Sequence, residues 1–438
     1  MASNLLARTL SRASFSSALD EEAFIRAMLA FESALARSEA DAGVIPPEAA
    51  SAIETACAGL KLSARHLAAD GKLAGSLAIP LVRALTEQVR AANPKAASFV
   101  HYGSTSQDVL DTAMVLCMRP CVAEADRVLA KAIALLADHA RRNESAVMLG
   151  RTMMQPAIPI TAGIKIARWA TALGRCRSRL AEAARRALCV QLGGPVGTLD
   201  ALGSKRLQVR RGVAERLGIA DARPWHSQRD EFLSFASALA ILVATVGKIA
   251  GDIALLSQAE VGEMLEAAPK KGVGTSSAMP HKRNPVACLQ ALAAAARAPG
   301  LLATMLHATH EHERAIGGWQ AELATLPELV ETAGGALDAL ERIAAGLVVD
   351  PARMRQNLES LNGLVFSERL SRLLMNSMDR ASAQSQVDDW CAKAVAGQRH
   401  LQDVVREARA DLDLTAVFSL EALVQELKPV LDEELAAL

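Results

Sequence analysis

An all-α fold made of three helical domains is predicted from composition, residue spacing and chain length. Hydrophobic residues make up 51% of the sequence and aromatic residues only 3%, a composition that favours helices packed through small side chains over pleated sheet. Apolar residues recur at spacings of three and four in several long segments, as amphipathic helices require. A chain of 438 residues is long enough to form several domains. No alternating run of convincing length predicts a β-strand.

The first predicted helix covers residues 20–42. Apolar residues lie along it at spacings of four, three and four, namely Phe24, Met28, Phe31 and Leu35. Acidic residues at its start complement the helix dipole. The residues before it, 1–18, are expected to form a frayed arm, with an organellar transit peptide as the less favoured alternative. Similar spacing predicts helices over 47–60, 77–91 and 121–139, the last as the opening of a longer helix.

The most regular stretch predicts one long helix over residues 230–266. It carries an apolar seam of the coiled-coil type, formed by Phe232, Phe235, Leu239, Leu242, Val246, Ile249, Ile253 and Leu256. At 1.5 Å per residue such a helix would span about 55 Å, which suits the middle of a bundle. A membrane-spanning helix is the alternative. The charge-free run is too short for it, because Lys248 and Asp252 follow directly.

Two further helices are predicted over 284–314 and 326–347, the first bent at Pro299. Breaks in the helical pattern near Gly103 and near 357–363 mark the expected domain borders. These borders predict an N-terminal helical domain over residues 1–108, a central helical-bundle domain over 109–356 and a C-terminal helical domain over 357–438.

Charge and cysteine content exclude several classes of protein. Lys plus Arg and Asp plus Glu each number 48, so no global field attracts the chain to nucleic acid or anionic lipid. The seven cysteines are scattered and form no C-x-x-C pair, so neither a disulfide framework nor a cysteine zinc site is expected. Reduced cysteines in a core are typical of a cytoplasmic protein.

Residues 274–285 read Gly-Thr-Ser-Ser-Ala-Met-Pro-His-Lys-Arg-Asn-Pro. Small and hydroxyl residues precede a basic cluster, and the final proline suits the first turn of a helix, whose N-terminus favours an anion. The string predicts an anion-binding loop. The alternative is a solvated basic linker between two helices.

The same string carries a family resemblance. Residues 276–284 match every fixed position of Ser-Ser-x-Met-Pro-x-Lys-x-Asn, the signature of the fumarase/aspartase superfamily. Residues 101–108 and 150–155 resemble two further active-site regions of that superfamily, in the expected order. The resemblance implies a homotetramer with a core of long central helices, in which three subunits contribute to each active site.

The resemblance also implies the roles of individual residues. Ser276 would transfer a proton to or from carbon, while Lys282 and Asn284 hold the carboxylate that takes up the carbanion's charge. A serine hydroxyl can do this only where fixed dipoles and a cation stabilise its alkoxide. His101 is a third catalytic candidate, with a purely structural histidine as the equal alternative. The expected substrate-binding residues are Thr105, Ser106, Gln107, Arg151, Thr152, Gln155, Ser277, Met279, His281, Asn284 and Arg314.

Two departures indicate the branch of the superfamily. Fumarases and adenylosuccinate lyases carry a histidine and a glutamate at the positions of Met153 and Leu289. The branch of cycloisomerases that act on 3-carboxy-cis,cis-muconate lacks that pair, and the strings at 78–82, 311–314 and 397–401 resemble that branch. The implied reaction closes a lactone ring to give 4-carboxymuconolactone. Alternatives are an adenylosuccinate-type lyase that releases fumarate, and a helical scaffold without activity.

The expected substrate is therefore a small tricarboxylate of protocatechuate (β-ketoadipate) catabolism. The resemblance implies an enzyme without a cofactor or metal, and neither nucleic acid nor membrane is expected as a partner. His307, His310 and His312 have spacings that could ligate a metal, but no clear set of carboxylates accompanies them.

Overall fold

The structure is a computed structural model that describes residues 8–267, 279, 282–308 and 310–438. This part of the chain contains 17 α-helices, so the all-α prediction is confirmed. The helices are α1 Ala13–Ala18, α2 Glu21–Asp41, α3 Pro47–Gly59, α4 Ala64–Ala74, α5 Ala78–Ala92, α6 Ser106–Arg142, α7 Ala162–Ala187, α8 Arg206–Leu217, α9 Asp230–Leu256, α10 Val286–His307, α11 Gly318–Gly346, α12 Pro351–Glu359, α13 Ser367–Leu374, α14 Arg380–Gly397, α15 Leu401–Ala408, α16 Thr415–Phe418 and α17 Leu420–Ala436.

Short 3-10 helices and four strands complete the described elements. The 3-10 helices are Ala96–Phe99, Asp200–Lys205 and Leu364–Phe366. Strands β1, Val147–Thr152, and β2, Gln155–Thr161, form one antiparallel pair. Strands β3, Met264–Glu266, and β4, Leu347–Val349, form a second antiparallel pair.

The chain divides into two compact units. The first unit comprises Met1–Val128, Cys176–Ala244 and Ala293–Asp338. The second unit comprises Leu129–Arg175, Thr245–Leu292 and Ala339–Leu438. Five helices, α6, α7, α9, α10 and α11, have residues in both. The division into domains 1–108, 109–356 and 357–438 stays a prediction.

Helix α2 forms where the spacing of its apolar residues predicts it. The Asp20 side chain caps its N-terminus by accepting a hydrogen bond from the Ala23 amide, 2.7 Å away. Met28, Phe31 and Leu35 are all buried, so one face of the helix belongs to the core of the first unit. The predicted helix over 20–42 is confirmed.

The segment before α2 is part of the first unit's core. Phe15 on α1 is only 1% exposed. It packs against Gly334 of α11, where an added Cβ would lie 2.6 Å from the Phe15 ring. A Cβ on Gly335 would overlap the carbonyl oxygen of Leu10. The expectation of a frayed arm over 1–18 is therefore wrong for residues 10–18.

Helix α6 begins at Ser106, fifteen residues before the start that apolar spacing predicts. Pro120 lies inside it. A proline removes one backbone hydrogen bond and disfavours a helix interior, which is why the sequence indicates a later start. Burial of Val109, Ala113 and Val115 holds the first turns of α6 in helical form despite that proline.

Helix α9 ends earlier than predicted, at Leu256. A turn follows, in which Gly262 adopts the left-handed conformation with φ of 65°, and Met264 then starts strand β3. The Glu263 amide donates to the Leu256 carbonyl, which closes this turn. The prediction of one helix over 230–266 is wrong for its last ten residues, because the pairing of Met264 with Val349 satisfies the backbone better than a further helical turn.

The hairpin of β1 and β2 is also absent from the sequence prediction. Its two-residue turn is Met153-Met154, and both residues have positive φ, 49° and 67°. The register shifts between Leu149 and Arg151, as at a β-bulge. Strand β2 contains prolines and shows no clean alternation, so spacing alone does not reveal it.

Two helices are long and apolar enough to cross a membrane by length and composition alone. Their most apolar windows have mean hydropathy of 2.0 in α9 and 1.5 in α10. Within this single chain 56% of the α9 window and 28% of the α10 window is buried. Buried core helices of globular proteins meet the same criterion, so two such helices are weak evidence for a membrane protein.

The C-terminal helices of the second unit form a core of their own around Trp390, which is 2% exposed. Leu370, Leu374 and Val387 are buried in the same cluster. Val147 and Leu149 of β1 belong to the same cluster. The hairpin that carries three expected site residues is therefore anchored in a packed core.

Candidate functional site

The expected site residues fall into two groups, one in each compact unit. His101, Thr105, Ser106, Gln107 and Arg314 belong to the first unit. Arg151, Thr152, Gln155, Met279, Lys282 and Asn284 belong to the second. Ser276, Ser277 and His281 lie outside the described residues.

His101 is paired with a buried carboxylate. Its Nδ1 lies 2.6 Å from Oε1 of Glu32 on α2, and the side chains are 16% and 0% exposed. Burial by itself lowers the pKa of His101, but the charge of Glu32 and its hydrogen bond raise that pKa by more. The pair therefore favours the protonated imidazolium. Sequence motifs do not reveal Glu32. The sequence feature that could have indicated it is a glutamate next to the apolar Phe31.

Thr105 and Arg314 are brought together. The Nη2 of Arg314 donates to the Thr105 hydroxyl oxygen at 2.6 Å. The neighbouring Ser106 is half-buried at the start of α6. A guanidinium, two hydroxyl groups and a helix N-terminus in one place suit a carboxylate ligand.

His226 is a further candidate that sequence motifs missed. It is 5% exposed, and neither ring nitrogen has a hydrogen-bond partner within the described part of the chain. Burial lowers its pKa first, and the nearby positive charge of Arg314 lowers it further. His226 is thus a neutral histidine beside the Thr105–Arg314 pair.

Gln107 faces the interior of the first unit. It is fully buried, and its Nε2 donates to the carbonyl of His226 at 2.7 Å. In this arrangement Gln107 positions the His226 backbone and does not present its amide to solvent.

Asp108 fixes the loop that precedes α6. Its carboxylate accepts from Nε2 of Gln191 and from the amides of Gly193 and Gly194, each at 2.9 Å, and from the Thr105 amide at 3.1 Å. Burial raises the pKa of Asp108 to about 6, although these four hydrogen bonds lower it. The Gly-rich turn that starts at residue 193 thus has a structural role, with Gly194 in the left-handed conformation at φ of 67°.

Arg151 forms a bidentate ion pair in the second unit. Its two terminal nitrogens lie 2.8 and 2.7 Å from the carboxylate oxygens of Glu263, which is 0% exposed. Asn357 donates to the same carboxylate at 2.8 Å. Glu263 therefore orients the Arg151 guanidinium and compensates its positive charge. Thr152 and Gln155 pair at the exposed end of the hairpin.

The chain around Lys282 leads into helix α10. Lys282 and Met279 are exposed, and the Lys282 amide donates to the Met279 carbonyl at 3.0 Å. Asn284 is half-buried. Amide groups at the N-terminus of α10 donate to the protein's own Glu266, at 3.0 Å from Ala287 and 3.1 Å from Cys288. An anion does occupy this N-terminus, and it is a side chain of β3.

The cysteines and the possible metal ligands add no further candidate site within the described residues. None of the seven cysteines forms a disulfide in the part of the chain that the structure describes, and six of them are buried. Burial raises the pKa of Cys57 and Cys288 to about 12, so these two remain protonated near neutral pH. Within the described ranges, no three His, Cys, Asp or Glu side chains are grouped to hold a metal ion.

Comparison with known proteins agrees with this architecture. A family model described as a lyase matches residues 2–300. A 3-carboxy-cis,cis-muconate cycloisomerase of Bradyrhizobium diazoefficiens is 43% identical over 98% of this chain and 94% of that protein. One of Pseudomonas aeruginosa is 44% identical over 89% of this chain and 86% of that protein.

Solved structures give the same result. The crystal structure of 3-carboxy-cis,cis-muconate lactonizing enzyme from Pseudomonas putida matches with a TM-score of 0.92 and 37% identity, covering 99% of both chains. That of β-carboxy-cis,cis-muconate cycloisomerase from Acinetobacter calcoaceticus sp. ADP1 matches with a TM-score of 0.91 and 34% identity, covering 99% of this chain and 100% of that one. Sequence, fold and coverage agree, and the chain therefore belongs to the lyase family that includes these cycloisomerases.

Proposed function

We propose that this chain is a cycloisomerase that converts 3-carboxy-cis,cis-muconate to 4-carboxymuconolactone. The observation that carries the proposal is the identity of 43 and 44% to two enzymes of that name over most of their length. Met153 and Leu289, at positions where other branches have an acid–base pair, support it. Their apolar side chains are 98% and 54% exposed and cannot transfer a proton.

The proposed reaction needs no second reactant besides a proton. One carboxylate oxygen of the substrate forms a bond to an alkene carbon, and the π electrons move onto the next carbon and into its carboxylate. Ser276 then transfers its proton to that carbon and regains a proton from solvent, so the trianion and one solvent proton together give the lactone dianion. Intramolecular attack carries much of its own entropic advantage. The protein has to hold a trianion and stabilise the carbanion.

The proposed roles follow the two groups of residues. Lys282 and Asn284 hold the carboxylate that takes up charge. Thr105, Ser106 and Arg314 bind a second carboxylate, and the hydrogen bond between Arg314 and Thr105 supports this role. Arg151 contributes a donor whose orientation is set by Glu263.

The proposed assembly is a homotetramer. Apolar side chains that remain exposed in the single chain support it, including Ile241 and Leu255 of α9, each 42% exposed, and Leu289 of α10. The low buried fraction of the apolar window in α10, 28%, has the same explanation, because subunit interfaces bury such surfaces. A cytoplasmic location and a role in protocatechuate breakdown belong to the same proposal.

The test is a direct assay of purified protein with 3-carboxy-cis,cis-muconate, followed by its loss of ultraviolet absorbance. Adenylosuccinate serves as the comparison substrate. Turnover of the muconate alone is expected. Release of fumarate from adenylosuccinate at a higher kcat/KM would reject the cycloisomerase assignment, and turnover of neither acid would favour a scaffold protein.

Ser276→Ala tests the proposed proton donor. We expect kcat to fall by about a hundredfold or more, because a positioned proton donor contributes that much, while the circular dichroism and Tm stay close to those of the unmodified protein. Ser377→Ala, which changes a hydroxyl group outside the site, is the matched control. Near-normal turnover of the Ser276 variant would remove Ser276 from this role.

A further inference from the structure

Two buried glutamates lie on the same face of α2, two helical turns apart. Glu32 is 1% exposed and Glu39 is 0% exposed. Oε2 of Glu32 and both carboxyl oxygens of Glu39 have no hydrogen-bond partner within the described ranges. Buried carboxyl groups are costly unless something pairs with them, so the one partner that Glu32 does have is informative.

That partner is His101, the first residue of the active-site region at 101–108. His101 has a positive φ of 60°, an uncommon conformation for a residue with a side chain. The hydrogen bond joins Nδ1 of the ring to Oε1 of Glu32, and the two atoms are 2.6 Å apart. Because Nδ1 is held by the carboxylate, Nε2 is the ring nitrogen left for a ligand.

The two charged groups that most affect His101 within the described part of the chain are carboxylates. Glu32 approaches from α2 and Asp108 from α6, and both favour the protonated ring, while burial disfavours it. The negative charge of Glu32 is the larger of these two favourable influences. His101 is thus the positively charged member of the pair, and it is the member that attracts a polyanionic ligand.

We propose that Glu32 is a positioning residue, which holds His101 as an imidazolium so that its Nε2–H donates to a carboxylate of the substrate. This inference rests on the proposed function, because it assigns His101 to the tricarboxylate site. Glu32 does not touch the substrate. It acts by fixing the ring orientation and by maintaining the ring's positive charge up to a higher pH.

Glu32→Gln is the decisive variant. Glutamine can still accept the Nδ1–H hydrogen bond, so the ring orientation is preserved, whereas the negative charge is lost. Glu39→Gln is the matched control for the substitution itself, because it replaces the same side chain at the same degree of burial on the same helix, without a contact to His101 and without loss of a charge at neutral pH. Burial raises the pKa of Glu39 to about 9, so its neutral form already predominates at neutral pH.

The first measurement is an NMR titration of the full-length protein labelled at histidine Cε1. The chain has nine histidines, and loss of one resonance in His101→Asn assigns the His101 signal. We expect a lower His101 pKa in Glu32→Gln than in the unmodified protein or in Glu39→Gln. An unchanged His101 pKa in Glu32→Gln would overturn the inference whatever the turnover is.

The second measurement is the pH profile of KM and kcat for 3-carboxy-cis,cis-muconate. For Glu32→Gln we expect KM to rise about tenfold or more at the pH where the NMR titration finds His101 charged in the unmodified protein and neutral in the variant, since a hydrogen bond to a charged group is lost. The difference should shrink as the pH falls and His101 regains its proton. Glu39→Gln should keep the KM of the unmodified protein. A lowered His101 pKa with unchanged KM at every pH would overturn the carboxylate contact. Absence of turnover in the unmodified protein would instead reject the proposed function, while the NMR titration still decides the role of Glu32.

Discussion

Glu39 of the first unit is a buried acid whose two carboxyl oxygens have no hydrogen-bond partner within the described ranges. Its carboxyl group is fully buried, and burial raises its pKa from 4.5 to about 9. The folded chain therefore keeps a proton that the unfolded chain loses above pH 4.5. The stability that this proton provides is fully present below pH 4.5 and is lost progressively as the pH rises towards 9.

Glu39→Gln should remove this pH dependence. One proton difference changes the free energy of unfolding by about 1.4 kcal/mol per pH unit, so the variant should gain stability relative to the unmodified protein between pH 5 and pH 8. Urea denaturation at both pH values and equal protein concentration measures the difference. An equal pH slope in the two proteins would contradict the assignment of a buried neutral acid.

At the scale of single residues, sequence motifs predicted the candidate groups but not the residues that hold them. Glu32 is 69 positions from His101, and Glu263 is 112 positions from Arg151. Short motifs contain no information about such distant partners, because only folding brings them together. The signals were a glutamate on the apolar face of α2 and a glutamate inside an expected helix that proves to be a turn.

At the scale of elements, Glu266 links the two ends of the segment that carries Ser276 and Lys282. It stands on β3 and accepts hydrogen bonds from the amides of Ala287 and Cys288 at the start of α10. The adjacent Ala267 amide donates to the Gly346 carbonyl at 2.7 Å. The side chain thus acts as a helix cap that comes from a different element.

Glu266→Ala should cost about 1 kcal/mol of stability, the usual value of a lost N-terminal cap, and should reduce kcat/KM as well. Asp379→Ala is the control, because it removes the cap of α14, where the Asp379 side chain accepts from Ser382 at 3.0 Å, far along the chain from the signature. Thermal unfolding and steady-state assays of both variants give the comparison. Equal kcat/KM in the two would mean that the cap has no influence on the site.

Helices were predicted well wherever one face is apolar and the ends are polar, as in α2, α3 and α5. The prediction was wrong where tertiary contacts dominate. Helix α6 passes through Pro120 because its first turns are buried, and α9 gives way to β3 because Met264 pairs with Val349. The spacing of apolar residues within one segment gives no information about a partner strand more than eighty residues away.

The proposed tetramer can be tested by its mass in solution. Light scattering coupled to size exclusion should give a mass four times the 46.2 kDa of the chain. Leu255→Glu, which places a charge on the exposed side of α9, should shift the protein towards smaller species and lower its activity. Leu73→Glu, on α4 and 89% exposed in the chain, is the control and should keep the mass. A monomeric unmodified protein with full activity would contradict the tetramer.

The close packing of residues 10–15 on α11 has a consequence for that helix. Two adjacent glycines, Gly334 and Gly335, occupy its interior, where each costs about 1 kcal/mol of helix propensity relative to alanine. The missing side chains leave a groove that Phe15 and the Leu10 carbonyl fill. An alanine at either position would stabilise the isolated helix but would displace residues 10–15 from the groove. The same substitution would therefore be favourable in a peptide and unfavourable in the protein.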